Sequence, residues 1–154
     1  MEQFEVIEHR DGKSDRKNIV YCINYINPDF VIFSSNMPLK KGDLVMVDGD
    51  NVYPNKMPIG KVLKRKSSSD VNVDTSYDIK YTGGYSLDGR TIYLDEHFPR
   101  QLTVEGKMID TLKSIGLHHE LPEKWLSDEK YEYPYAHEIA TGIEKEYVES
   151  LGVN

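Results

Sequence analysis

The spacing of apolar residues changes once along this chain, and that change constrains the fold more than any other feature. As far as Leu94 the apolar residues come in short runs or alternate with polar ones, punctuated by Gly, Pro, Asn and Asp. Both patterns belong to strands. From Ile109 onward they recur every three or four residues, the repeat of a helix. Strands followed by helices predict an α+β fold: an N-terminal antiparallel β-sheet or small barrel over about residues 4–95, then two main C-terminal helices. The matching division is a β-rich domain at residues 1–98 and a helical region at residues 99–154, either as two domains or as one intimate unit. At 154 residues the chain is long enough for one well-buried core.

Within the β-rich part, Phe4–Ile7 reads as a short strand and His9–Asn18 as a polar turn. Ile19–Ile26 and Phe30–Phe33 form an antiparallel pair about a turn at Pro28. The stretch LVMVDGD is a strand ending in a hairpin turn at Asp48, Gly49 and Asp50, and IGKVLKRK is another short strand. That spacing, with a Pro-containing loop between, resembles small β-barrel modules. Ser67–Asp78 is polar and linker-like, either a hairpin arm or a mobile loop. Two short strands then flank Asp88 and Gly89, with Ile92 and Leu94 on one face.

The changeover from strand to helix is placed at Phe98–Glu105. Beyond it Ile109, Leu112, Ile115 or Gly116, His119, Glu123 and Leu126 fall on one helical stripe. Pro122 lacks an N–H and would clash with the carbonyl of His118, so the helix kinks there or a second one starts near Leu121 with the proline in its first turn. In the last helix Pro134 occupies the first turn. Ala136, Ile139, Ala140, Ile143, Tyr147 and Leu151 form its apolar stripe, and Gly152 stops it. His137 and Glu144, seven residues apart, point the same way.

These two helices concentrate the groups that bind metals and move protons. His119-Glu120-Leu121-Pro122-Glu123 is an H-E-x-x-E pattern. In the H-E-x-x-H zinc peptidases one helical turn puts two ligands on one face, and the Glu between them acts as general base. By that logic His119 and Glu123 are metal ligands and Glu120 is the catalytic base. His137 supplies a third ligand and Glu144 a fourth from the next helix, and the expected ion is Zn2+. Asp95, in Asp95-Glu96-His97 at a strand end, is a further candidate ligand or part of an ordinary charged strand terminus. Without a metal, His119 and His137 would be interhelical hydrogen-bonding residues, each held by a carboxylate. His118 is expected to face solvent, and His9 is assigned no role.

The stretch Ile92–Gly152, with IYLDEHFP, then HELPE, then YPYAHEIATGIEKEYVESLG, resembles a small family of uncharacterised phage and prophage proteins. Their shared pattern is an aspartate after a short strand, H-E-x-x-E, and Y-x-x-A-H-x-x-A-T-x-x-E. The resemblance implies a viral or prophage setting and a common role for Asp95, His119, Glu120, Glu123, Tyr135, His137 and Glu144. It implies no particular reaction, and it covers about the last two fifths of the chain.

Charge and composition narrow the partners. A formal net charge of −7 gives no overall attraction to nucleic acid. One basic island, Lys61, Lys64, Arg65 and Lys66, reads as the solvated end of a strand or as a phosphate-contacting patch. No apolar run approaches the ~20 residues needed to cross a bilayer, and the opening residues are too polar for a secretory signal. The single cysteine, Cys22, excludes an intrachain disulfide and fits a reducing compartment. Eleven tyrosines suit stacking, an adhesive interface or simply strands. Two functions follow. One is a metal-dependent hydrolase, peptidase-like, of phage or prophage origin. The other is a noncatalytic virion-associated structural or decoration protein whose partner is a viral structural protein and whose His/Glu cluster only pins helices. Either would act in the host cytoplasm or on the virion.

Overall fold

The computed structural model describes residues 1–12 and 17–153, so the middle of the expected His9–Asn18 turn lies outside the described residues. The chain forms two units, Met1–Ser67 and Ser68–Asn154. The first is a closed antiparallel barrel of β1 (Glu2–Arg10), β2 (Asn18–Asn24), β3 (Asp29–Ser35), β4 (Leu44–Asp48), β5 (Asn51–Tyr53) and β6 (Gly60–Ser67), in the order β1-β2-β3-β6-β5-β4. The ring closes because β1 pairs with β2 on one side and with β4 on the other. Two register shifts, between Val6 and Glu8 on β1 and opposite Ile32 and Phe33 on β3, supply the curvature that closure demands. Alternate residues fill the interior: Phe4 and Val6, Val20 and Cys22, Val31 and Phe33, Val45 and Val47, with Leu39 and Ile59 from loops. Cys22 is fully buried, and that burial pushes its thiol pKa up. Of the basic island, Arg65 is committed to Glu2 and to Asp29, the latter at 2.7 Å.

The second unit starts earlier than residue 99. Ser67–Asp78 is neither a hairpin arm nor a free loop: β7 (Asn72–Asp74) pairs in parallel with β9 (Thr91–Leu94), and β8 (Gly83–Tyr85) pairs antiparallel with β9 on its other side. Ile92 and Leu94 are buried on one face as their alternation requires. That face receives the following helical segment at Gly116, where an added Cβ would meet Ile92, Leu94 and Val73 at 3.7–3.9 Å. The division therefore falls at Ser67/Ser68 rather than at 98/99, because the three-stranded sheet packs on the helical segment.

Between sheet and helices lies a hairpin, β10 (Gln101–Val104) and β11 (Lys107–Asp110). Its turn residues Glu105 and Gly106 both have positive φ, 50° and 78°, as a two-residue hairpin loop needs. Ile109 thus belongs to a strand and not to the helical stripe. After Thr111 comes a π-helical segment, Leu112–Glu120, which runs into α1 (Leu121–Asp128); α2 (Tyr133–Ser150) follows. Pro134 sits in the first turn of α2, and Gly152, with φ 96°, ends it. Among the described residues no helix is long and apolar enough to cross a membrane.

Candidate metal centre

The turn that carries the first two candidate ligands is not α-helical. The Leu121 N–H donates to the Gly116 carbonyl, five residues back, which is the wide π spacing. Pro122 falls next, in the first turn of α1, and has no N–H to donate to the turn before it. Widening the turn changes which residues face inward: Ser114, His118, His119 and Glu123 are all buried. His118 is therefore not solvent-facing. It is 1% exposed, donates from Nδ1 to the Lys113 carbonyl at 2.8 Å, and stacks on Tyr147 with ring centroids 3.7 Å apart.

His119 and Glu123, across the π-to-α junction, approach to 3.2 Å between Nε2 and Oε2. His137 on α2 brings Nδ1 to 2.9 Å from the same Glu123 oxygen and 3.3 Å from His119 Nε2. Three donor atoms thus form a triangle with edges of 2.9, 3.2 and 3.3 Å. Tetrahedral coordination at about 2.0–2.1 Å separates neighbouring ligand atoms by about 3.3–3.4 Å, so the triangle is within a few tenths of an ångström of one tetrahedral face. The group His119, Glu123 and His137 could hold a metal ion. Two imidazoles and one carboxylate with a fourth position open is a donor set that suits a catalytic rather than a closed structural site.

Glu144 does not sit among these atoms. Its Oε1 lies 2.9 Å from Nδ1 of His119, the far ring nitrogen, off the line an N–H there would take. A carboxylate this close favours a proton on Nδ1, and in the neutral ring that leaves the Nε2 lone pair for a metal. Asp95 belongs to a separate group with Asp78 and His97; it accepts from the Ile79 N–H at 3.0 Å and lies 3.8 Å from His97. Tyr135 is exposed and stands beside Tyr131. The tyrosine that reaches the centre is Tyr133, whose ring stacks on His137 at 5.6 Å.

The electrostatics follow from three carboxylates around two imidazoles. Burial alone would lower the His119 pKa, but Glu123 and Glu144 outweigh it and hold the value up at about 9. Burial would raise Glu123, and its contacts with His119 and His137 outweigh that and hold it below the usual carboxylate range. For Glu120 burial and the neighbouring Glu123 outweigh the attraction of His119 and His137 and push it up to about 7. Tyr133 is raised as well, first by Glu123.

Glu120, Glu123 and His137 open into a cavity of about 580 Å3 whose other lining residues are Tyr81, Thr82, Gly83, Gly84, Tyr85 and Tyr133. Gly83 lies against the Glu120 side chain: a Cβ there would stand 2.8 Å from Oε1 and would push that movable carboxylate aside. Sequence reasoning found the helical groups and missed this strand wall. The paired glycines in YTGGY were the signal, since glycine inside a strand marks a close approach. Comparison with protein-family models, curated proteins and solved structures finds no match for this chain.

Proposed function

We propose that this chain is a metal-dependent hydrolase, peptidase-like, with Zn2+ on His119, Glu123 and His137 and with Glu120 as general base. The observation that carries the reading is the triangle of donor atoms, two of whose residues, Glu123 and His137, line one cavity together with Glu120. A divalent ion held there supplies Lewis-acid activation of water and substrate. Glu120 accepts the proton of the attacking water as its oxygen bonds to the substrate carbonyl carbon, then delivers that proton to the leaving nitrogen as the C–N bond breaks. Glu144 orients His119, and Tyr133 packs against His137. The resemblance of Ile92–Gly152 to phage and prophage proteins supports a viral or prophage setting for this chemistry.

The test is elemental analysis of the purified chain after zinc loading, beside His119→Ala and His137→Ala. One zinc per chain, lost in both variants, supports the centre. Glu120→Gln should then keep the metal and lose about 100-fold or more of amide hydrolysis. Wild-type protein without stoichiometric metal would overturn the reading.

A second reading has its own observation. Glu123 Oε2 is within reach of both imidazoles, so the cluster can satisfy itself as a hydrogen-bonded pin between the π-helical segment, α1 and α2. The protein would then be a noncatalytic virion component acting through a viral structural partner. Stable folding without zinc, together with a large stability loss in Glu123→Gln and no hydrolysis, favours that reading.

A further inference from the structure

We infer that the substrate is an extended polypeptide that adds to β8 as a strand, pairing by main chain with Gly83 and Tyr85. The cleavage of that peptide rests on the hydrolase reading; its binding does not.

The pairing of β8 with β9 leaves one side open. Asp95 N–H donates to the Thr82 carbonyl at 2.8 Å and Ser86 N–H to the Thr91 carbonyl at 2.9 Å, and Gly84 is opposite Tyr93. In an antiparallel ladder, alternate residues exchange both bonds with the partner strand and the residues between them turn away. Thr82, Gly84 and Ser86 therefore bond to β9, and the N–H and C=O of Gly83 and Tyr85 point to the other side. Among the described residues no strand lies there, since β8 is an edge of the order β7-β9-β8.

Exposed edges are ordinarily blunted by lysine, proline, charge or a bulge. Thr82-Gly83-Gly84-Tyr85-Ser86 carries no lysine, proline or charge and its register with β9 is unbroken, so the shortness of β8 is the one such device it has. Its edge lines the cavity that Glu120, Glu123 and His137 also line, with Gly83 against the Glu120 side chain. The two glycines keep side chains out of the way, and a Cβ at Gly84 would meet nothing within 4 Å. Tyr81, Tyr85 and Tyr133 give aromatic walls for the side chains of an added strand. A phosphoester has no use for a row of alternating main-chain donors and acceptors, whereas an amide backbone matches it group for group.

The test is amide hydrogen exchange on the zinc-treated full chain carrying Glu120→Gln, with and without a library of N-acetylated, C-amidated octapeptides. The amides of Gly83 and Tyr85 should slow by about tenfold or more while those of Gly84 and Ser86 hold their rates. Peptides bearing N-methyl groups should lose this protection at every second position, a periodicity that nonspecific sticking lacks. Unchanged exchange at Gly83 and Tyr85 overturns the proposal. So does slowing that appears without peptide and grows with protein concentration, because a second copy of the chain then occupies the edge. Zinc-dependent hydrolysis of a small chromogenic amide without protection by peptides leaves the hydrolase standing and removes strand addition. Protection without zinc or hydrolysis does the reverse.

Discussion

His119, Glu120 and Glu123 each have a pKa displaced in a direction that can be read as stability. His119, held at about 9 in the folded protein against an ordinary value of 6.5, stabilises the fold fully below pH 6.5, and this contribution is lost as pH rises through 9. Glu120, raised to about 7 from 4.5, costs stability increasingly as pH climbs through that window. Glu123, lowered, stabilises above 4.5 and is lost only as pH falls through its folded value. The metal-free protein should therefore be most stable near pH 5 and lose on the order of 1–3 kcal/mol toward pH 9 from His119 alone. Thermal unfolding of the metal-free protein across pH 5–9 checks this, and a melting temperature that rises with pH would contradict it. Zinc affinity should move the opposite way and tighten with pH, because His119 must give up its proton to bind. At Gly83, substitution by alanine puts a Cβ against the movable end of Glu120. Gly83→Ala should keep its zinc and its melting temperature while hydrolysis falls about tenfold or more.

Two glycines in different elements predict opposite outcomes. Gly60 pairs with Ser35 in the barrel, and a Cβ there would stand 2.0 Å from the Ser34 carbonyl oxygen, which is backbone and cannot swing aside. Gly60→Ala should destabilise by about 1–3 kcal/mol. Gly142, exposed within α2, has nothing within 4 Å of an added Cβ. Gly142→Ala should stabilise by about 0.5–1 kcal/mol, and denaturant unfolding of both variants compares them directly. The elements also differ in how much of them was legible. The course of α2 was legible because Pro134, the buried stripe of Ala136, Ala140 and Ile143, and Gly152 are all local signals, but Leu151, expected on that stripe, is exposed just past the helix end, and Ile139 and Tyr147 are only half-buried. The β10–β11 hairpin was missed because Ile109 extends the three-and-four spacing of the helix by coincidence, and Glu105-Gly106 is a less familiar turn than Asn-Gly. The π-helical segment was invisible to any argument built on a 3.6-residue repeat. It reverses the expectation for His118 and still leaves His119 and Glu123 on one face.

At the scale of the molecule, the α+β class and the antiparallel barrel were legible from alternation and turn residues, and the pairing of His119 with Glu123 from a spacing of four, whereas the spacing of seven pointed to Glu144, which lies behind His119 and not in the triad. The wall opposite was not, because Gly83 and Glu120 meet only through tertiary packing. Trp125, the single tryptophan, is buried in α1 of the unit that carries the triad. Its fluorescence should therefore report a zinc-dependent rise in the unfolding temperature, worth about 2.7 kcal/mol at a hundredfold excess over Kd, and His119→Ala should abolish that rise. The division at Ser67/Ser68 also bears on inheritance. A recombination break there would move the triad, Glu120 and the whole cavity lining as one piece onto a new neighbour. A break at 98/99 would leave β8 behind and hand on ligands whose cavity had lost its strand wall.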